Sequence, residues 1–297
     1  MTKEVVMISG KGGTGKTSLT AAFAALAENA VLADCDVDAA DLHLVLNPKV
    51  VQRFDFSGGR LAAIDPHTCV GCGTCARMCR FDAITLDEPG SRIVGKTFRI
   101  DPIACEGCKV CVEFCPVNAI AFEPAINGQW FVSETRFGPM VHAKLGIAQE
   151  NSGKLVTIIR KKAKEIAEEQ NKQFLIIDGS PGIGCPVIAS ITGADAALIV
   201  TEPTLAGLHD LHRVADLAKN FRLKTLVCIN KADINPKMTE QITDEAQKKG
   251  LKVIGAIPYD DAFTKAQIMK AAIVEYTGGQ IAETIKALWR QVVYALG

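Results

Sequence analysis

The chain has 297 residues, enough for one large domain or two modest ones, and its 48% hydrophobic and 22% charged residues are those of a folded globular protein. Thirty-three Lys and Arg balance thirty-three Asp and Glu, so no excess charge marks a surface for nucleic acid or anionic lipid. No secretory signal opens the sequence and no run reaches the roughly 18 apolar residues of a membrane span; eleven cysteines then predict a reducing, cytoplasmic setting and metal rather than disulfides.

In chain order, Val5–Ser9 reads as a buried strand, followed by Gly10-Lys11-Gly12-Gly13-Thr14-Gly15-Lys16-Thr17 and a helix over about Thr17–Glu28. That segment fits G-x-x-x-x-G-K-[ST] between a strand and a helix, the context that confirms a phosphate loop. Its backbone N–H groups can turn inward around phosphate oxygens at a helix N-terminus. Lys16 is placed to reach the β- and γ-phosphates, Thr17 to bind Mg²⁺, and Ser18 to complete the nucleotide site. The pattern G-K-G-G-x-G-K-T, with its early Lys11, resembles the deviant Walker A family that includes MinD, Mrp, ParA and the nitrogenase iron protein. The resemblance implies a nucleotide-sandwich homodimer in which Lys11 crosses to the ATP of the second copy.

Val31–Asp34 is the next strand. Asp34-Cys35-Asp36-Val37-Asp38 follows it, where the family keeps its switch I carboxylate. Asp36 is the candidate to position the attacking water, with Asp38 and Asp41 as alternatives.

The strand–helix rhythm then stops. Cys69, Cys72, Cys75 and Cys79 repeat 36 residues later as Cys105, Cys108, Cys111 and Cys115, and Ala83-Ile84 repeats as Ala119-Ile120. Each copy is C-x₂-C-x₂-C-x₃-C, whereas zinc sites use two C-x₂-C pairs. The run resembles the bacterial two-cluster ferredoxin, which implies two [4Fe-4S] clusters. In that pattern three cysteines of one run and the last of the other hold each cluster: Cys69, Cys72, Cys75 and Cys115 the first, Cys105, Cys108, Cys111 and Cys79 the second. Arg80 stands where a proline is usual; Pro116 is present in the second copy.

Trp130–Ser133 and Met140–Lys144 are expected as strands beside this insert, joined by a turn at Gly138-Pro139. The rhythm resumes with a helix at Leu155–Glu169, whose Arg160-Lys161-Lys162 and Lys164 read as a solvated face, and a strand at Phe174–Ile177. Asp178 ends that strand as a Walker B carboxylate for Mg²⁺. Asp178-Gly179-Ser180-Pro181-Gly182 resembles the family's D-x-P-P-G switch II, with Ser180 in place of the first proline. Cys185 lies seven residues after Asp178, the offset of a cluster-ligating cysteine in the nitrogenase iron protein, and is carried as a speculative bridging metal ligand; a plain helix start is the alternative. Cys35 and Cys228 read as small buried residues, and the five histidines as structural or surface groups.

Strands at Ala196–Val200, Thr225–Ile229 and Lys252–Ile257 alternate with helices at Leu205–Phe221, Met238–Lys249 and Gln280–Leu296. Asn230 in Asn-Lys-x-Asp can pair with a purine edge. GTPases share that motif, but in the MinD-like family the asparagine reads adenine and Pro258 packs the base, so ATP is expected. The last helix is apolar at helical spacing and lacks the basic face of a membrane anchor.

The expected fold is an α/β P-loop NTPase with a mainly parallel sheet covered on both faces, over 1–63 and 124–297. It is interrupted at 64–123 by a small α+β ferredoxin-like domain. The expected activity is an ATPase whose dimer switch gates electron transfer through two clusters to a redox partner. The alternative is a cofactor-assembly ATPase serving a metalloprotein client. A third reading, a ParA/MinD-type positioning ATPase, calls for a membrane or DNA surface, which neither the charge nor the termini offer.

Overall fold

The computed structural model describes residues 2–87, 96–146 and 152–297, and these form two compact units. The first takes Met1–Phe54, Gln129–Leu145 and Ser152–Gly297; the second is chiefly Asp55–Gly128. The strands in chain order are β1 (Lys3–Ser9), β2 (Ala30–Asp34), β3 (Lys49–Phe56), β4 (Gly59–Ile64), β5 (Ile84–Asp87), β6 (Thr97–Ile100), β7 (Ile120–Ala125), β8 (Gly128–Thr135), β9 (Gly138–Leu145), β10 (Phe174–Pro181), β11 (Ala196–Thr201), β12 (Lys224–Asn230) and β13 (Lys252–Ile257).

The first unit is built on a nine-stranded sheet ordered β13-β12-β11-β1-β10-β2-β9-β8-β3. From β13 through to β9 the neighbours whose register is resolved run parallel. Strands β2 and β11 are buried along their whole length, as a sheet covered on both faces requires, which explains why they read as unbroken apolar runs. Phe23, from the helix Lys16–Leu26, and Phe174 pack on Trp289 of the C-terminal helix Gly279–Leu296, with ring centroids 5.1 and 5.2 Å apart. In that last helix Ile281, Ile285, Leu288, Val292 and Leu296 are all buried, so its apolar stripe is spent inside the unit. Among the described residues no helix is long and apolar enough to cross a membrane.

The turn expected at Gly138-Pro139 lies two residues earlier, at Arg136-Phe137. Thr135 fixes it: its hydroxyl donates to Gly138 O (2.7 Å) and accepts from Phe137 N (3.1 Å). Gly138 has φ 122° inside β9, and a Cβ there would sit 2.5 Å from Ala30 O. It is glycine because a neighbouring backbone approaches closely, which in sequence looks the same as a turn glycine. The resulting hairpin widens the main sheet; it is not an appendage of the cysteine block. The basic run also departs from expectation. Arg160 is buried, donating to Glu4 Oε2 (2.5 Å) and to Ala189 O (3.1 Å), and Lys164 pairs with the same glutamate at 2.7 Å.

The second unit has an internal two-fold pattern. Strand β4 pairs antiparallel with β7, and β5 with β6. Ile64 faces Ile120 in one sheet, and Ile100 faces Ile84 in the other, so each sheet joins one copy of the 36-residue repeat to the other. The backbone bonds repeat likewise: Asp65 N to Ala119 O and Asp101 N to Ala83 O, both 2.8 Å.

Candidate functional site

The first site lies at the C-terminal ends of the parallel strands, where open α/β sheets collect their ligands. A cavity of ≈ 420 Å³ is lined there by Gly12, Gly13, Gly15, Lys16, Thr17 and Ser18 of the loop, by Asp36 and Asp41 after β2, and by Asn230, Pro258 and Tyr259 after β12 and β13. Gly15 has φ 92°, and a Cβ there would meet Asn230 Nδ2 at 2.4 Å; only glycine permits both the turn and that approach. The Asn230 amide is committed to the loop, donating to Thr14 O (2.9 Å) and accepting from Lys231 N (3.0 Å).

Lys16 is buried, and its Nζ lies 3.4 Å from Asp36 Oδ2. Asp178 is wholly buried and accepts from Thr20 Oγ1 at 3.2 Å. The register of β10 on β2 sets Asp178 beside Asp34, so three carboxylates lie together, two of which, Asp36 and Asp178, feel the charge of Lys16. Burial pushes Asp36 up to about 6 despite Lys16, and pushes Asp34 and Asp178 upward as well, with Asp178 adding to the effect on Asp34. Asp178 Oδ2 and Thr14 Oγ1 are buried with no hydrogen-bond partner. A native fold seldom leaves such atoms unpaired. A cation beside Asp178 and a phosphate beside Thr14 would satisfy them, so the residues present fit Mg²⁺ and a nucleotide phosphate.

Two further features steady the site. Ser180 Oγ donates to Cys35 O at 2.6 Å, so the residue replacing the usual proline ties the segment after Asp178 to the segment after β2. Glu202, just past β11, pairs with both Lys11 and Lys231. Neither Thr20 nor Glu202 stands out in sequence. Thr20 could have been found as the residue four after Lys16 on the same helix face, and Glu202 as a carboxylate at the ligand-bearing end of a parallel strand.

A family model, the CobQ/CobB/MinD/ParA nucleotide binding domain, matches residues 5–272. The chain belongs to this family. It is 31% identical over 293 residues to an uncharacterized protein of Methanocaldococcus jannaschii, across 97% of this chain and 96% of that one. Among solved structures it resembles the septum site-determining protein MinD with Mg-ADP from Pyrococcus horikoshii (TM-score 0.58, 18% identity, 98% and 96% covered). It also resembles apo McdA of Cyanothece (TM-score 0.58, 15% identity, 100% of each chain). At those identities the likeness is one of fold. The CobQ/CobB/MinD/ParA members include MinD and ParA ATPases; this member is an ATPase, and ATP with Mg²⁺ suits its site.

The expectation of ATP-gated electron transfer is overturned. The named proteins beside this chain are MinD, ParA and McdA ATPases, and among the described residues no group of three or more His, Cys, Asp or Glu is placed to hold a metal ion. They match the reading that sequence ranked last, the positioning ATPase.

The cysteines of the second unit are arranged as follows. One small cavity is lined by Cys69, Cys72, Cys75 and Cys115, and another by Cys79, Cys105, Cys108 and Cys111. Cys75 and Cys111 are buried, and burial pushes the thiol of Cys111 up to about 11, with Cys105 and Cys108 adding to the effect. Of the remaining cysteines, Cys35 and Cys228 are fully buried, whereas Cys185 is exposed at the start of the helix Cys185–Ile191.

Proposed function

We propose that this ATPase works as a nucleotide-driven pairing switch of the positioning kind, cycling between a single chain and a two-chain form that holds a partner. The observation that supports this reading is the buried Asp178 Oδ2, without a hydrogen-bond partner, beside the Lys16–Asp36 pair, an arrangement that fits Mg²⁺ and a nucleotide phosphate.

In this reading Gly10, Gly12, Gly13, Thr14 and Gly15 cradle the phosphates, with Lys16 on the β and γ groups and Ser18 beside them. Thr17 and Asp178 hold Mg²⁺, which neutralises charge on the phosphates. Asp36 orients the attacking water; a carboxylate near 6 is ionised at neutral pH and can accept a hydrogen bond from it. Lys11 reaches the nucleotide of the second copy. Pro258 and Asn230 close the base end, where Asn230 also braces the loop. In sedimentation velocity, Mg-ATP should shift the chain to a dimer and Mg-ADP should not, with Lys16→Ala remaining single in both. A chain that hydrolyses ATP without changing mass would sink the switch reading.

For the second unit we propose two [4Fe-4S] clusters as resident, structural cofactors. Each cavity offers four thiols, the number such a cluster takes. The thiols border a space instead of converging on a point, as the ~2.3 Å bonds of a single zinc ion would demand. When bound, a cluster supplies four metal–thiolate bonds that cross-link both halves of the repeat. Anaerobic purification should give about eight iron atoms per chain, falling by about half in Cys72→Ser. Zinc in place of iron, or no metal, would refute it.

A further inference from the structure

Lys11 is not free in the single chain. Its Nζ is paired with Glu202 Oε1, while Lys231 Nζ lies 3.2 Å from Glu202 Oε2 and donates to Gly13 O at 3.1 Å. One carboxylate therefore spans two lysines, Lys11 on the phosphate loop and Lys231 just after β12.

The carboxylate is held firmly. Glu202 O accepts from Thr204 N (2.8 Å), and Thr204 caps the helix Leu205–Asn220 by accepting from Gly207 N (2.9 Å). Gly207 is packed so closely that a Cβ on it would lie 2.2 Å from Glu202 O. The Glu202 side chain is 15% exposed and Lys11's 36%, so the pair sits at the rim, sheltered enough to matter and open enough to break. Burial works to raise the carboxyl of Glu202, but the bonds from Lys11 and Lys231 outweigh it and hold it below its ordinary range.

We infer that Glu202 is the resting partner of Lys11: a positioning residue that parks the loop lysine in the single chain and so sets how much ATP is needed to pair two copies. This rests on the reading that Lys11 acts across the pair. An ammonium anchored to its own chain's carboxylate must leave it before it can reach a phosphate on a second copy. Each pairing event then breaks two such contacts, one per chain. The same contact keeps Lys11 from binding a stray anion while the chain is alone.

The consequences are specific. Removing the charge at Glu202 should make pairing easier, opposite to the usual effect of deleting a residue beside an active site. Moderate salt should also ease pairing in the wild type by screening the rim pair, and should do so less in Glu202→Gln.

The experiment is a titration of the full chain with Mg-ATP, following dimer fraction by sedimentation velocity, for wild type, Glu202→Gln, Lys231→Met and Lys11→Ala. A partly exposed ion pair contributes up to about fivefold in an equilibrium. Glu202→Gln should therefore pair at about threefold to fivefold less ATP, with a melting temperature lowered by no more than a few degrees in the absence of nucleotide. Lys11→Ala should fail to pair. If Glu202→Gln needs as much ATP as wild type while Lys11→Ala fails, the parking role is wrong and the trans role of Lys11 stands. If Lys231→Met reproduces the gain, the effect runs through Lys231 and the inference is overturned. If Lys11→Ala pairs like wild type, the underlying reading falls and this inference with it. Glu202→Asp, too short to span both lysines, should give an intermediate value, which guards against a folding defect in Glu202→Gln.

Discussion

The nucleotide site and the cysteine unit are built on opposite principles. The first is carried by a wide sheet whose central strands are buried on both faces, and it uses that rigidity to hold charges at a disadvantage: Asp34, Asp36 and Asp178 lie together with Lys16 beside Asp36. The second has a small core in which cysteines sit among the apolar side chains. Its core is Ala62, Ile84 and Ile120 with Cys75 and Cys111, so thiols fill positions that Leu and Phe hold elsewhere. A rigid frame can hold these carboxylates close together, with Asp178 Oδ2 without a hydrogen-bond partner. On the proposal of two clusters, a unit of this size with so small a core would draw stability from what its thiols bind.

The largest expected effect separates them by mutation. Lys16→Ala should cut ATP hydrolysis by at least about 10²-fold while Asp55–Gly128 keeps its resistance to limited proteolysis. Cys75→Ser should do the reverse, making Asp55–Gly128 sensitive to limited proteolysis while Mg-ATP binding persists. If Cys75→Ser leaves that unit resistant, its thiols are ordinary core residues and the contrast fails.

Next, ligand should relieve the crowding. Mg-ATP at about a hundred times its Kd should stabilise the first unit by about 2.7 kcal/mol, roughly 5 °C in calorimetry, and Asp36→Asn should raise the melting temperature of the nucleotide-free protein. A fall in Asp36→Asn would mean that the Lys16–Asp36 pair outweighs the burial of its charge.

The smallest effect is in pH. Asp36 is raised to about 6 in the fold, so the native state holds an extra proton between about 4 and 6, and its contribution to stability falls as pH rises through that window. His142 behaves oppositely. Burial lowers it to about 4, and its ring bonds Ser133 at 2.9 Å. The unfolded chain then takes the proton first, and stability is lost as pH falls from about 6.5 to 4. Melting curves over that range should fall more steeply on acidification in Asp36→Asn and less steeply in His142→Phe.

What was legible in sequence follows from the same contrast. The phosphate loop and Asp178 could be read because backbone geometry and strand ends restrict the residue types allowed there. The grouping of Cys115 with the first cysteine run and Cys79 with the second comes from the resemblance to the two-cluster ferredoxin, and the two cavities group the cysteines in the same way. Glu202 could not be read, since a single carboxylate has no pattern until β11 and the loop are brought together. Gly138 misled because a close backbone approach and a tight turn both select glycine. Arg160 misled because a basic run on a helix looks solvated until Glu4, 156 residues away, is seen beneath it. The function was missed for a different reason: motifs name parts, and two motifs in one chain do not say that one drives the other.

The most direct test of the central claim is the mass of the full chain in Mg-ATP against Mg-ADP, by sedimentation velocity. The account predicts a dimer in ATP that returns to single chains as ATP is consumed and never forms in Lys16→Ala. Single chains under both nucleotides, with hydrolysis intact, would contradict it.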